Sequence, residues 1–206
     1  MAGLFITFEG GEGAGKTTIA RMIVDQLRKE GYTVELTREP GGVDIAEQIR
    51  DVIVNKDNTA MDPKTEALLY AASRRQHLVE RVLPVLELNG IIICDRFIDS
   101  SLVYQGIARH IGIEKVYQMN LFATEEIMPK LTIFFDLDPQ IGLKRVRDNN
   151  REINRLDLES EKFHQEVYEG YKTIAAMFPD RIKTIDASLS VVEVYDQAMN
   201  LIRKYL

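Results

Sequence analysis

The stretch Glu9-Gly10-Gly11-Glu12-Gly13-Ala14-Gly15-Lys16-Thr17-Thr18 constrains this chain more than any other. Gly10, four residues, then Gly15-Lys16-Thr17 is the spacing of a phosphate-binding P-loop. Glycines let the backbone curl so that successive N–H groups face phosphate oxygens. A helix that follows adds the positive end of its dipole. Lys16 is then placed to reach β- and γ-phosphates, and the Thr17 hydroxyl to ligate Mg²⁺. A Gly-rich turn can match so short a pattern by chance, so its flanks decide. Leu4-Phe5-Ile6-Thr7-Phe8 reads as a buried strand leading in, and Ile19, Met22, Ile23 and Leu27 recur at helical spacing leading out. Strand, loop and helix together predict a nucleoside triphosphate site.

At 206 residues, 45% hydrophobic and 28% charged, the chain suits one globular domain spanning 1–206. A net charge of −6 argues against broad nucleic-acid binding while leaving room for a local basic cleft. Cys94, the single cysteine, ends an apolar run and reads as an inert core thiol. Residues 1–8 run straight into a strand with no signal-peptide pattern, and no apolar run approaches a membrane span. A cytoplasmic enzyme is expected.

Strands are predicted at 4–8, 32–37, 91–95, 131–136 and 181–186, separated by helical segments. Ile45, Ile49 and Val52-Ile53 space a helix that puts Arg50 off its core face. Pro63 suits the first turn of a long helical segment towards Leu88, with Pro84 kinking it. Helices are further predicted at 97–107, 113–124, from Pro139 to about Arg147, from about 158 to 177, and over 191–206. Alternating strands and helices imply an α/β fold with a five-stranded parallel sheet covered on both faces. Ligands then bind outside the carboxyl ends of the strands.

Asp95 follows four apolar residues, the form of a Mg²⁺-site carboxylate at a strand's exposed end, and Asp136 is a rival with the same pattern. Arg96 directly after Asp95 favours the first, because a carboxylate beside a guanidinium suits an acceptor phosphate. His77, His110 and His164 show no metal-ligand spacing, so zinc is not expected.

Taken together, Gly10–Thr17, Arg38-Glu39-Pro40-Gly41-Gly42, Ala71-Ala72-Ser73-Arg74, Asp95-Arg96-Phe97 and Asp99-Ser100-Ser101 through Tyr104-Gln105-Gly106 resemble the bacterial thymidylate kinases in order and spacing. Asn154-Arg155-Leu156-Asp157 falls where that family has its lid, here at about 148–158. The resemblance implies a P-loop nucleoside-monophosphate-kinase-like three-layer fold, phosphorylation of dTMP to dTDP with ATP and Mg²⁺, and a homodimer. It implies ATP at Gly10, Gly11, Glu12, Gly13, Ala14, Gly15, Lys16, Thr17 and Thr18, and Mg²⁺ at Thr17 and Asp95. It implies dTMP at Arg38, Glu39, Arg50, Tyr70, Arg74, Arg96, Ser101, Tyr104 and Gln105. Arg38 and Arg96 would hold its phosphate, with Arg50 close by, and Glu12 would lie near the sugar 3′-hydroxyl.

Two departures stand out. Where the family usually has Phe, this chain has Tyr70, which keeps a stacking plane but adds a hydroxyl needing a partner. By its helical position alone, Tyr70 would read as a core residue. Ala14 stands where some family branches carry a basic side chain, so charge on the transferring phosphoryl group must be met from the lid. Arg147, Arg151 and Arg155 recur every four residues there, a pattern that by itself reads as a solvated face. Arg151 and Arg155 lie further into the loop and are the expected catalytic pair, alongside Lys16, Glu12, Asp95 and Arg96. A deoxynucleoside kinase is the rival within the class, but its uncharged acceptor would leave Arg38, Arg50 and Arg96 surplus. A GTP-binding switch would need an Asn-Lys-x-Asp motif that the chain lacks.

Overall fold

The structure, a computed structural model, describes residues 3–148 and 155–206. Among these residues, β1 (Leu4–Glu9), β2 (Val34–Arg38), β3 (Ile91–Asp95), β4 (Leu131–Asp136) and β5 (Ile182–Asp186) form one parallel sheet in the order β2-β3-β1-β4-β5. The register sets Phe8 beside Asp95 and Glu9 beside Phe134. The early strands thus lie on one side of β1 and the late strands on the other. Winding reverses at β1, and the crevice this opens lies at the carboxyl ends of β1, β3 and β4. The P-loop emerges there.

Alternation along each strand feeds two cores. Ile6, Phe8, Ile93, Ile133 and Phe135 face one side, where they meet Ile19, Ile23 and Leu27 of α1 (Lys16–Lys29) and Val194, Ala198 and Ile202 of α9 (Val191–Ile202). Phe5, Ile92, Cys94 and Phe134 face the other, against Leu102 and against Val167 and Ile174 of α8 (Glu161–Met177). Full burial of such side chains stabilises by roughly 1.5–3 kcal/mol each. Cys94 is fully buried, and burial pushes its thiol pKa well up, so it stays a thiol. Among the buried polar atoms on this side, Thr124 Oγ1 and His164 Nε2 have no hydrogen-bond partner among the described residues, whereas Asp99 is paired. Arg181 grips Asp99 with two bonds of 2.6 and 2.7 Å, which ties the entry of β5 to α5 (Ile98–Ser101).

The remaining helices are α2 (Asp44–Val54), α3 (Pro63–His77), α4 (Leu83–Glu87), α6 (Ile113–Thr124) and α7 (Pro139–Asp148). The Asp62 side chain caps α3 by accepting from Lys64 and Thr65 amides, with Pro63 in the first turn as expected. Three expectations are modified. The segment from Pro63 does not run as one helix kinked at Pro84; it passes through a π-helical turn at Leu78–Val82 before α4. The missing N–H of Pro84 removes the bond that an α-helix would make to residue 80, and the wider turn absorbs the misfit. The helix expected at 97–107 is α5 followed by a π-helical stretch at Leu102–Ala108, with i→i+5 bonds such as Arg109 N–H to the Tyr104 carbonyl at 2.9 Å. Strand β2 starts two residues later than expected, at Val34, and takes in Arg38.

Gly13 and Gly142 fix how closely the P-loop meets α7. A Cβ on Gly142 would lie 2.1 Å from the Glu12 carbonyl oxygen, and one on Gly13 would lie 2.1 Å from the Gly142 carbonyl oxygen. Gly13 also sits at φ 69°, a left-handed conformation that favours glycine. Gly142→Ala is therefore expected to destabilise the protein by roughly 1–3 kcal/mol, as overpacking against rigid backbone does. Gly11→Ala, whose Cβ would meet nothing within 4 Å, should leave stability within about 0.5 kcal/mol. Urea unfolding of the two variants checks both; equal effects would show that the contact with α7 is not tight.

Candidate active site

A cavity of about 670 Å³ opens at the carboxyl end of the sheet, within the range of ligand sites. Its floor is the P-loop. Gly15, at φ 88°, precedes α1, whose first amides receive no side-chain cap and so face the cavity as donors. The Lys16 ammonium donates to the carbonyls of Gly10 at 3.0 Å and Gly11 at 2.9 Å. Burial, and then the nearby Arg96 charge, push its pKa down to about 8 against the pull of Asp95, Glu12 and Glu9. Thr17 Oγ1 donates to Asp95 Oδ2 at 2.6 Å. That contact joins Thr17 to Asp95, the first of the two strand-end carboxylates, and not to Asp136. Two hard oxygen donors this close fit a Mg²⁺ ligand set.

Arg96 is held from several sides. Its backbone lies at φ 73°, rare for a non-glycine residue and costing of order 1–3 kcal/mol, and its amide donates to the Phe8 carbonyl at 2.9 Å. The guanidinium donates to Glu12 Oε1 at 2.6 Å, Tyr171 Oη at 3.0 Å and Ser100 Oγ at 3.2 Å, and lies over the Tyr104 ring. Burial works against its charge, but Tyr104, Glu12 and Tyr171 outweigh that and hold it protonated.

Beneath Arg96 lies Glu9, a buried residue that sequence reasoning missed. Its carboxylate accepts from the Phe97 amide at 2.7 Å, the Ser100 amide at 3.2 Å, Ser100 Oγ at 2.6 Å and Tyr171 Oη at 3.0 Å. The signal was present: Glu9 ends an apolar strand as Asp95 and Asp136 do. Tyr171 carried no such signal, because it reaches the site from α8.

Arg38, Arg50 and Arg96 all line the cavity. Glu47, also missed, clamps Arg38 with two bonds of 2.9 Å. Arg50 donates to the Pro40 carbonyl at 3.1 Å, and burial followed by the charge of Arg38 lowers its pKa. Three guanidinium groups facing one space repel one another, and an anion between them relieves that repulsion.

The far wall carries Tyr70, Arg74, Ser101, Tyr104 and Gln105. Tyr70 is partly buried and packs against the second core, and burial together with Glu66 pushes its hydroxyl up to about 12. The Arg74 guanidinium is 1% exposed and donates to Glu39 Oε2 at 2.7 Å, Ser101 Oγ at 2.9 Å, the Phe97 carbonyl at 2.9 Å and Asn120 Oδ1. Glu39 Oε1 in turn meets His77 Nδ1 at 2.9 Å, and His77 Nε2 meets Thr37 Oγ1 at 2.6 Å. Glu39, His77 and Cys94 lie close together, but these bonds and the Cys94 Sγ contact to the Arg96 carbonyl already occupy the atoms a metal would need. Glu39 is thus a buried support for Arg74.

Of the two lid arginines, Arg151 lies outside the described residues. Arg155 is set apart from the P-loop: it donates to Glu66 Oε2 at 2.5 Å and to the Ile53 carbonyl at 2.9 Å, while its neighbour Leu156 lines the cavity. At the opposite end the cavity is walled by Arg145 and by the segment from Ala187 to Val191, which no sequence motif marked.

A parallel sheet with a P-loop at its switch point, and three guanidinium groups lining the same cavity, define a phosphotransferase of the nucleoside monophosphate kinase kind. Within that class the chain belongs to the thymidylate kinase family, whose model matches residues 8–198. It is 58% identical to a thymidylate kinase of Bacillus licheniformis over 207 aligned positions, covering 100% of this chain and 98% of the relative. A thymidylate kinase of Oceanobacillus iheyensis is 55% identical, with 100% and 92% covered. The crystal structure of thymidylate kinase from Ehrlichia chaffeensis superposes with a TM-score of 0.79 at 30% identity, over 98% of this chain and 99% of that one. No helix among the described residues is long and apolar enough to cross a membrane.

Glu9 gives the site a pH signature. Burial, and then the charge of Asp99, raise its pKa from 4.5 to about 7, against the bonds from Ser100 and Phe97 and the charge of Arg96. The folded state then binds this proton more tightly than the unfolded chain does. The resulting stabilisation is fully present below the unfolded value and is lost as pH rises through about 7. The stability difference between the unmodified protein and Glu9→Gln should therefore shift against the unmodified protein between about pH 5 and pH 7. Urea unfolding at several pH values measures it. A difference constant across that window would mean that Glu9 is ionised throughout.

Proposed function

We propose that this chain transfers the γ-phosphoryl group of ATP to the phosphate of dTMP, giving ADP and dTDP. The observation that carries this reading is the convergence of Arg38, Arg50 and Arg96 on a cavity floored by the P-loop. That charge suits an acceptor that already bears a phosphate. A deoxynucleoside kinase would leave the three guanidinium groups without a ligand.

In this reading ATP lies along Gly10 to Thr18, with its base towards Arg145 and the segment from Ala187. Lys16 turns from the Gly10 and Gly11 carbonyls to the phosphates. Thr17 and Asp95 hold Mg²⁺, which when bound offsets charge shared by the β- and γ-phosphate oxygens. Arg96, fixed by Glu12, Ser100 and Tyr171, aligns the acceptor oxygen with Arg38 and Arg50. Such positioning and charge neutralisation are most of what phosphoryl transfer asks of a protein. Glu12, also within 3.4 Å of Tyr104 Oη, faces the sugar. Tyr70 stacks on thymine, and Arg74, Ser101 and Gln105 address its edge.

Residues 148–158 act as a lid within a single domain. Arg151 meets the charge of the transferring group, and Arg155 joins it on release from Glu66 and Ile53. An arginine in that role is worth roughly 10³ to 10⁵ in rate. The net charge of −6 supports small-molecule substrates over nucleic acid, and the reading places the enzyme in the cytoplasm, away from membranes. A homodimer is supported by large apolar side chains left exposed on three helices: Val52 on α2, Leu68 on α3 and Phe122 on α6.

Turnover with ATP and Mg²⁺ on dTMP, dUMP, thymidine and dCMP tests the function. Phosphorylation of dTMP with none of thymidine is expected, and the reverse preference would overturn the assignment. Lys16→Ala should abolish turnover while the thermal unfolding temperature stays near that of the unmodified protein; activity near the original rate would remove the P-loop from the chemistry.

Tyr70 offers a separate check. Tyr70→Phe keeps the ring and should be nearly silent. Tyr70→Ala should weaken dTMP binding about five- to 150-fold, since base–aromatic stacking is worth roughly 1–3 kcal/mol, and should leave ATP binding unchanged. Calorimetric titration and thermal unfolding on the same variant decide. A large stability loss with unaltered dTMP affinity would make Tyr70 a core residue only.

A further inference from the structure

We infer that Glu66 is a positioning residue for base specificity: it engages the Gln105 amide nitrogen, leaves the Gln105 oxygen for the ligand, and so selects a pyrimidine that carries a proton at N3. This deepens the proposed function and rests on it.

Glu66 lies in α3, is 1% exposed, and has no part in the motifs that brought the family to light. Its Oε1 accepts from Gln105 Nε2 at 2.9 Å. Its Oε2 accepts from Arg155 at 2.5 Å and Arg109 at 3.3 Å. Burial pushes the Glu66 carboxyl up, but the bonds from Gln105 and Arg155 and the charges of Arg109 and Arg155 outweigh burial and hold it below the usual range. An ionised carboxylate has acceptors only. The group that Gln105 turns towards it must therefore be the NH₂, which removes the usual ambiguity of an amide. Gln105 is itself 1% exposed and lines the cavity, so its oxygen is the atom available there.

Arg74 supplies the complementary group. Four of its five N–H donors are taken by Glu39, Ser101, Asn120 and the Phe97 carbonyl, which leaves one on Nη2. A fixed acceptor and a fixed donor on one wall match a 4-oxo pyrimidine, which offers N3–H and O4. A 4-amino pyrimidine offers a bare N3 and an amino group, the reverse pattern, so both contacts fail. Thymine and uracil share this edge, so Glu66 separates them from cytosine and not from each other.

Glu66→Gln tests this, because a neutral amide can present either oxygen or nitrogen to Gln105 and frees it to turn over. The kcat/KM preference for dTMP over dCMP should fall about five- to tenfold, the size of one hydrogen bond's net contribution, while the dTMP to dUMP ratio stays unchanged. Arg109→Met removes a different Glu66 partner and should keep the dTMP to dCMP preference. Equal losses in the two variants would mean general loosening and would overturn the inference. In the unmodified protein, ¹⁵N NMR should show one Gln105 Nε2 proton shifted downfield and slow to exchange, with assignment by comparison with Gln105→Met. A pair at the positions of free glutamine would refute the inference even if Glu66→Gln does not fold. An unmodified enzyme that uses dTMP and dCMP equally would also refute it while leaving the proposed function standing. Failure to use dTMP at all would instead remove the function.

Discussion

The site rests on one buried carboxylate. Glu9 ends the central strand beneath the P-loop and gathers the Phe97 and Ser100 amides, the Ser100 hydroxyl and Tyr171. Ser100 and Tyr171 in turn hold Arg96, and Arg96 holds Glu12 in the loop above. A chain of hydrogen bonds thus runs from the sheet through α5 and α8 into the loop. In a low-dielectric interior such contacts strengthen one another, and leaving any donor unpaired is costly. That arrangement also explains how Arg96 persists at a left-handed backbone angle: the Phe97 and Ser100 amides that follow it are anchored to Glu9, and its own amide is anchored to the Phe8 carbonyl.

Two further buried carboxylates organise the opposite wall. Glu39 fixes Arg74 and Glu66 fixes Gln105, and both acids are almost fully buried. Removing a buried acid while its cationic partner remains costs far more than a surface ion pair contributes. Stability and ligand geometry are therefore joined at these positions. The exposed pair of Arg38 with Glu47 differs, since both side chains remain substantially accessible to solvent and Arg38 is left free to change partners.

Much of this was legible in the sequence, because its signals were local. Apolar runs marked β1, β3 and β4, and the glycine spacing with Lys16 and Thr17 marked the loop between β1 and α1. Glu9 and Glu66 were not legible as site residues because a charged residue reads by default as solvated, and only three-dimensional contact reveals the donors around it. The partners of Glu66 on the Arg155 side lie 89 positions away, beyond the reach of any periodicity. No sequence pattern singled out Gly142 within its helix, because its reason is the approach of the P-loop backbone. The π-helical stretches were missed because their residues have the composition of an α-helix and differ only in which carbonyl each N–H finds.

The stretch at Leu102–Ala108 has a consequence for how this chain can vary in length. Its i→i+5 bonds accommodate one more residue than an α-helix would over the same path. A single deletion there would restore ordinary helical bonding with the flanking turns held in place, so the displacement would fall on the side chains within 102–108 themselves. Tyr104 and Gln105, on the cavity, would then lose their phase with Arg109 and with the start of α6. Insertions and deletions should therefore accumulate in polar connections such as 55–62 and be purged from 102–108, even though both are short segments between helices.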